Sequence, residues 1–315
     1  TVAGPQEGEG THSASLIRGI AEGFRAVGKT VGGFDAYTAS DVLRGSGLSS
    51  SAAFEMGMAV IWNGEYDCGL APTALAQICQ YAENTYFGKP SGLLDQLTSA
   101  VGGIIFADFA DPASPQIEKI HTDGLLPPGM SLCVTDTRGS HSELTSEFAA
   151  IRKEMEQVAG TLGKKVLGQV TESEFWAALP ELRCKCGDRA VLRAIHYFEE
   201  NARTLAQRDA LQAGKFAAFA ALVLESGRAS FALCQNVYCS TDVRHQGLSV
   251  ALALSQCILQ GSGAWRMQGG GFAGTIQAYV PRNLLERYHS EIERVFGAGS
   301  CYVLRLREQG AVRVG

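Results

Sequence analysis

Ten residues, Arg44-Gly45-Ser46-Gly47-Leu48-Ser49-Ser50-Ser51-Ala52-Ala53, restrict the fold of this chain more than any other stretch. The glycines allow a tight turn and bring backbone N–H groups close to whatever sits over them. The serines then lead into a run with helical spacing, Phe54, Met58 and Ile61 on one side. A helix start carries unpaired N–H groups and the positive end of the helix dipole, so such a loop suits phosphate. Serine hydroxyls add donors and can ligate magnesium. No Lys-Ser/Thr pair closes the loop, so it is not a Walker A sequence. Taken alone, the same run also reads as an ordinary Gly/Ser turn that caps a helix.

The chain is long enough, at 315 residues, to favour two domains over one core. Apolar residues make up 46% and charged residues 19%, the balance of a globular protein rather than a disordered one. A net charge of −5 with no basic cluster argues against nucleic-acid binding. The nine cysteines are scattered, and only Cys184 and Cys186 are close, without a second pair to complete a zinc site. Free thiols in a reducing compartment, the cytoplasm, are the expectation. The apolar stretches are broken by Gly, Pro or charge short of a membrane span, and the first residues lack the pattern of a signal peptide.

Periodicity predicts helices over Ser15–Val27, Ser51–Trp62, Leu144–Leu162, Arg189–Ala213, Lys215–Leu233 and Gly247–Leu259. A further helix, with Thr73 as its cap, should stop at Gly88, and another should begin near Leu93. Gly32–Leu43 alternates like an extended segment. Strands are expected at Ile104–Phe109, Ser131–Thr135, Thr275–Val280 and Tyr302–Leu306. Pro127-Pro128-Gly129 marks the expected boundary between domains 1–127 and 128–315, and the mixture is an α+β pattern.

Two acids follow the Ser-rich loop. Glu83 lies near a helix end, and Asp95 comes after breaks at Gly88, Pro90 and Gly92. A carboxylate is a hard ligand of the kind Mg²⁺ takes alongside phosphate oxygens, and a second could accept the proton of an attacking hydroxyl. Each alone is as readily a solvated surface acid. Neither His141 nor His196 has an evident partner, and neither is assigned a catalytic role.

The string GSGLSSSAAFE resembles the second signature of the GHMP kinases, and YAENTYFGKPSGLLDQLTSAVGG resembles the galactokinase segment that ends in Asp-Gln. RMQGGGFAGTIQAYV is similar to the third GHMP signature, and DTRGSHSELTSEFAAIRKEM and RAIHYFEENARTLAQRDALQAGKFAAF also resemble galactokinase segments. The likeness runs from about Ser40 onward and keeps the family's order. It implies a two-domain α+β fold with ATP between the domains and a four-stranded antiparallel sheet with helices in the C-terminal domain. The implied reaction is transfer of the ATP γ-phosphate to the anomeric hydroxyl of galactose, a small-molecule partner, by a monomer or homodimer.

By the same resemblance Gly45, Gly47, Ser49 and Ser50 would contact the phosphates, and Ser51 and Glu83 would hold Mg²⁺. Asp95 would be the catalytic carboxylate. Gly92 would admit the sugar, Gly269, Gly270 and Gly271 would close on the nucleotide, and Phe148 would line the sugar site.

Several positions depart from the family pattern. Phe148 stands where galactokinases carry a Tyr, Ser140 precedes His141 in place of an Arg, and Ala273 replaces a Gly. Leu43-Arg44 replaces Pro-Leu ahead of the loop, and Cys239-Ser240-Thr241-Asp242 takes the place of a C-P-E-L-D string. The family's opening G-R-x-N-L segment has no match, so the chain reads as a fragment or a degenerate relative. A kinase for an amino sugar or a pentose, and a catalytically silent sugar and ATP sensor, stay open as alternatives.

Overall fold

Glycines at 19 and 23 lie on the same face of the first helix, α1 (Ser13–Ala26), as buried Leu16, Ile20 and Phe24. A Cβ on Gly19 would stand 2.7 Å from Ala82 Cβ, and one on Gly23 2.7 Å from Ile78 Cγ2. The pair therefore lets α1 lie directly against α3 (Pro72–Ala82). This is a computed structural model, and it describes residues 4–5, 12–42, 48–89, 91–111, 114–121, 126–139 and 145–314. The chain divides into two compact units, 1–121 with 306–315, and 122–305.

In the first unit α1 and α3 pack with α2 (Ser50–Glu65) and α4 (Leu94–Val101) around Met56, Ala59, Trp62, Leu75 and Leu97. Pro72 opens α3 at a position where its missing N–H costs nothing, and the cap residue is Ala71. Thr73, expected as the cap, is inside the first turn. The helix passes at Glu83 into one π turn, Glu83–Phe87, and ends at Gly88 with φ 77°. Strands β1 (Ile104–Asp108) and β2 (Gln116–Ile120) form an antiparallel pair with Ile104 opposite Ile120.

The segment expected to be extended over Gly32–Leu43 joins no sheet in its described part. It is tied down instead by Trp62 Nε1, which donates to the Gly32 carbonyl at 2.8 Å, and by the Tyr66 hydroxyl on Gly33. Residues 306–314 also belong to this unit. Gly103 N–H donates to the Arg307 carbonyl at 2.7 Å and Ala311 N–H to the Ser99 carbonyl at 2.8 Å. Gly102 and Gly310 meet backbone to backbone where no side chain would fit.

The second unit is built on four antiparallel strands in the order β4 (Ala264–Met267), β5 (Thr275–Pro281), β3 (Met130–Asp136), β6 (Cys301–Leu304). Cys133 pairs with Ala278 on one side and Val303 on the other, which fixes the register. Helices α10 (Gly247–Leu259) and α11 (Leu285–Phe296) bury Ile258, Leu259, Tyr288 and Ile292 with Cys133, Ala278 and Val280. A helical layer, α5 (Thr145–Thr161), α6 (Glu172–Ala177), α7 (Leu179–Cys186) and α8 (Asp188–Gln212), has its own core around Phe175 and Leu182.

Helix α9 (Phe216–Ala229) continues through a π turn to Cys234. By length and composition this 19-residue helix is long enough to cross a membrane, longer than the sequence reading allowed. It carries Glu225 and Arg228 in its length, and Phe219 and Val223 pack with Ala210 and Ala264 of the same unit.

Candidate functional site

The Ser-rich loop enters α2 through Ser49, whose φ of 55° and ψ of 48° put it in the left-handed region. A serine there is strained by about 1–2 kcal/mol, a cost found where backbone N–H groups must be aimed. Its carbonyl already accepts from Ala53 N–H at 3.1 Å, while its side chain caps no N–H of the helix. The first N–H groups of a 16-residue helix and the hydroxyls of Ser49 and Ser50 thus stand together at one helix start. Gly45 and Gly47 lie outside the described residues.

Ser51, one residue into the helix, donates its hydroxyl to Glu83 Oε1 at 2.9 Å. The fold thereby joins the two residues expected to hold metal, which are far apart in sequence. The π turn does the aiming, since one extra residue per turn at Glu83 shifts the side-chain direction; such turns are frequent at functional sites.

Glu83 is 1% exposed and takes four donors. On Oε1 these are Ser51 Oγ and Lys89 Nζ, the latter at 2.8 Å; on Oε2 they are Ser91 Oγ at 2.6 Å and Gln96 Nε2 at 2.9 Å. Burial alone would raise this carboxyl, but the hydrogen bonds from Lys89 and Ser91 and the Lys89 charge outweigh it and hold the group below its ordinary range. Glu83 is therefore an anion at neutral pH.

The same Gln96 amide nitrogen donates to Glu55 Oε2 at 3.1 Å. Glu55 is fully buried on α2, and burial, followed by the nearby Glu83 charge, pushes it up to about 7. Its Oε1 and the Gln96 Oε1 lack partners among the described residues. A proton on Glu55 turns its own unpaired oxygen into a donor. Gln96 thus ties α2, the π turn and α4 to one another. Ser91 completes the cluster: its N–H donates to Asn84 Oδ1 at 2.6 Å, and its carbonyl accepts from Gln80 Nε2 at 3.1 Å.

Two hard oxygens 2.9 Å apart match one edge of an octahedron whose metal–oxygen distances are about 2.0–2.1 Å, the coordination Mg²⁺ demands. With a single carboxylate and a hydroxyl, the remaining positions suit water and phosphate oxygens. The donor set therefore fits magnesium.

Asp95 stands in the first turn of α4, next to Gln96 in sequence. It is exposed, and its side chain makes no hydrogen bond to another described residue. Gly92 is also exposed, and a Cβ there would meet nothing within 4 Å, so no packing among the described residues requires a glycine.

In the second unit Gly269, Gly270 and Gly271 form a turn between β4 and β5, with φ of 72° at Gly269 and 89° at Gly271. Asn236 secures this turn twice: its side-chain amide donates to the Gly270 carbonyl at 3.0 Å, and its backbone carbonyl accepts from Phe272 N–H. A Cβ on Gly270 would strike the Phe148 ring, and Phe148 packs edge-on against Phe272 with centroids 5.3 Å apart. Phe148 and the glycine turn are thus brought together. His141 lies outside the described residues, and His196 sits beside Glu200 within the second unit, its proton affinity lowered chiefly by burial.

Sequence reasoning passed over Glu55, Lys89, Ser91, Gln96 and Asn236. The first four fall inside two of the strings that carried the family resemblance, but only the fold shows that their side chains converge. Asn236 carried no signal of its own.

Residues 15–103 match the family model of the GHMP kinases N terminal domain. The chain is 32% identical over 295 residues to a galactokinase of Streptomyces coelicolor, covering 92% of this chain and 72% of that protein. It is 30% identical over 298 residues to the human galactokinase, covering 95% and 72%. Among solved structures, the crystal structure of Lactococcus lactis galactokinase complexed with galactose superposes with a TM-score of 0.74 at 21% identity, covering 98% of this chain and 77% of that one. A mevalonate kinase from L. major in complex with R-mevalonate superposes with a TM-score of 0.54 at 13% identity, covering 95% and 78%.

Proposed function

Because this chain belongs to the galactokinases of the GHMP kinase family, we propose that it transfers the γ-phosphate of ATP to the anomeric hydroxyl of galactose. The observation that carries the reading is the meeting of Ser51 and Glu83 at the start of a helix whose N–H groups and serine hydroxyls suit a polyphosphate. Magnesium held by Ser51 and Glu83 would offset the charge that develops on the phosphate during transfer.

The residues of the chain do the positioning. Ser49 and Ser50 would donate to phosphate, and Ser51 and Glu83 would hold the metal. Gln96 fixes the Glu83 carboxylate, and the exposed Asp95 carboxylate accepts the hydrogen bond of the attacking hydroxyl. The same reading assigns the turn at Gly269–Gly271, whose first two residues are exposed, to the nucleotide. All nine cysteines are free thiols, which agrees with a reducing cytoplasm.

Phe148 favours a second reading of the sugar. Its ring packs on Gly270 and Phe272 and offers no hydroxyl, so a sugar that needs none at this position, an amino sugar or a pentose, competes with galactose. MgATP-dependent phosphorylation of a panel of hexoses, amino sugars and pentoses decides between them. Galactose should head the panel in kcat/KM. Transfer to another sugar alone keeps the kinase and discards galactose, and no transfer to any member discards the reaction.

A further inference from the structure

The Glu83 carboxylate already holds a cation that belongs to the chain. Lys89 Nζ and Ser51 Oγ share one oxygen, Glu83 Oε1, at 2.8 and 2.9 Å. The ammonium therefore stands beside the start of α2, among the donors that suit phosphate. Its backbone is fixed: Lys89 N–H donates to the Glu83 carbonyl at 3.1 Å, and Gly88 ahead of it closes the π turn with φ 77°. Its side chain is free by comparison, with 56% of it exposed against 2% for Glu83. A fixed stem and an exposed head describe a charge that can change partners locally.

We propose that Lys89 is a phosphate-binding residue of the transfer reaction, moving from Glu83 Oε1 to the phosphate oxygens when metal-bound nucleotide arrives. This rests on the reading of the chain as an ATP-dependent kinase. A divalent ion on Oε1 would stand against the ammonium at contact distance, and two cations on one oxygen repel. The ammonium must then leave Oε1. Glu83 is its one ion-pair partner among the described residues, so the nearest new anion is the polyphosphate itself. Lysine serves well there as a mobile point charge with three donors.

The inference is tested with Lys89→Met and Lys89→Arg in the full chain, by calorimetric titration of ATP with and without Mg²⁺, by steady-state kinetics and by thermal melting. Lys89→Met should stay folded, with a melting temperature lowered because Glu83 loses one of its four donors, and bind MgATP roughly 10- to 100-fold more weakly, the effect of losing one charge-assisted contact. The Mg²⁺ concentration at half-saturation should fall or stay level, since the competing cation is gone. Lys89→Arg should retain most of the affinity.

MgATP affinity within twofold of wild type in Lys89→Met overturns the proposal. So does a raised Mg²⁺ requirement, which would mean that Lys89 only keeps Glu83 in place. If the wild type binds MgATP but phosphorylates no sugar, the kinase reading fails, while the titration still decides the role of Lys89.

Discussion

Glu83 and Asp95 are the two carboxylates of the candidate site, and the fold treats them in opposite ways. Glu83 is sealed in, takes four donors and is held as an anion. Asp95 projects from the first turn of α4, exposed and without a hydrogen-bonding neighbour among the described residues. A ligand for a hard cation gains from being immobile and charged before the ion comes. A group that must meet a hydroxyl gains from being reachable, and its final geometry forms only with the substrate in place. One carboxylate is organised by the protein and the other is left for the substrate to organise.

The sharpest way to break that contrast is Asp95→Asn. Turnover should fall by about 10²–10⁴, the range for a lost proton acceptor, with MgATP affinity and melting temperature unchanged. Loss of nucleotide binding in a calorimetric titration would place Asp95 on the metal side and dissolve the distinction.

Glu83→Gln should do the reverse. An amide nitrogen among four donors leaves buried groups unpaired, which costs about 1–3 kcal/mol in urea unfolding, and the Mg²⁺ requirement for ATP binding should rise. Unchanged stability would show that the cluster relaxes easily.

The last test concerns Glu55, which Gln96 links to Glu83. Glu55, raised from 4.5 to about 7, is neutral when folded below that pH, so its contribution to stability is complete at pH values under the unfolded carboxyl's. As pH climbs from there through about 7, folding must increasingly bury a charge, and stability declines by something on the order of 3 kcal/mol before levelling off. Glu55→Gln should flatten that decline in chemical denaturation between pH 5 and about 8. An identical slope in both proteins would assign the pH dependence elsewhere.

Long periodic segments were readable without coordinates. The helix over Gly247–Leu259 matches residue for residue, and those near 145–161 and 188–212 match to a residue or so, because burial on one face imposes the 3.6 period. Shorter elements were not. Strand β2, with Ile117 inward between polar neighbours, and the four-residue β4 depend on ladder partners for their existence. Helix α11 was legible in principle, since Leu285, Tyr288, Ile292 and Phe296 share a stripe, but its charged content masked it.

In the site, the Ser-rich helix start could be argued from backbone chemistry. The pairing of Ser51 with Glu83 could not, because tertiary packing sets it, and it came from the resemblance. Glu55 and Gln96 looked like ordinary polar positions; what makes them unusual is complete burial, a property of the neighbours rather than of the residues.

The strand of backbone at 307–311 that pairs with Ser99 and Gly103 has a consequence for how the molecule is made. Residues are added in order, so the helices bearing Ser51, Glu83 and Asp95 emerge from the ribosome long before their closing partner. At synthesis rates of about 5–20 residues per second, the gap between Gly103 and Arg307 amounts to roughly ten to forty seconds. Through that interval the Ser99 carbonyl and the Gly103 amide lack their final partners while the whole of the intervening unit is produced. The unit that carries Ser51, Glu83 and Asp95 is therefore closed only after residues 122–305 have been made, and its maturation is timed by their translation.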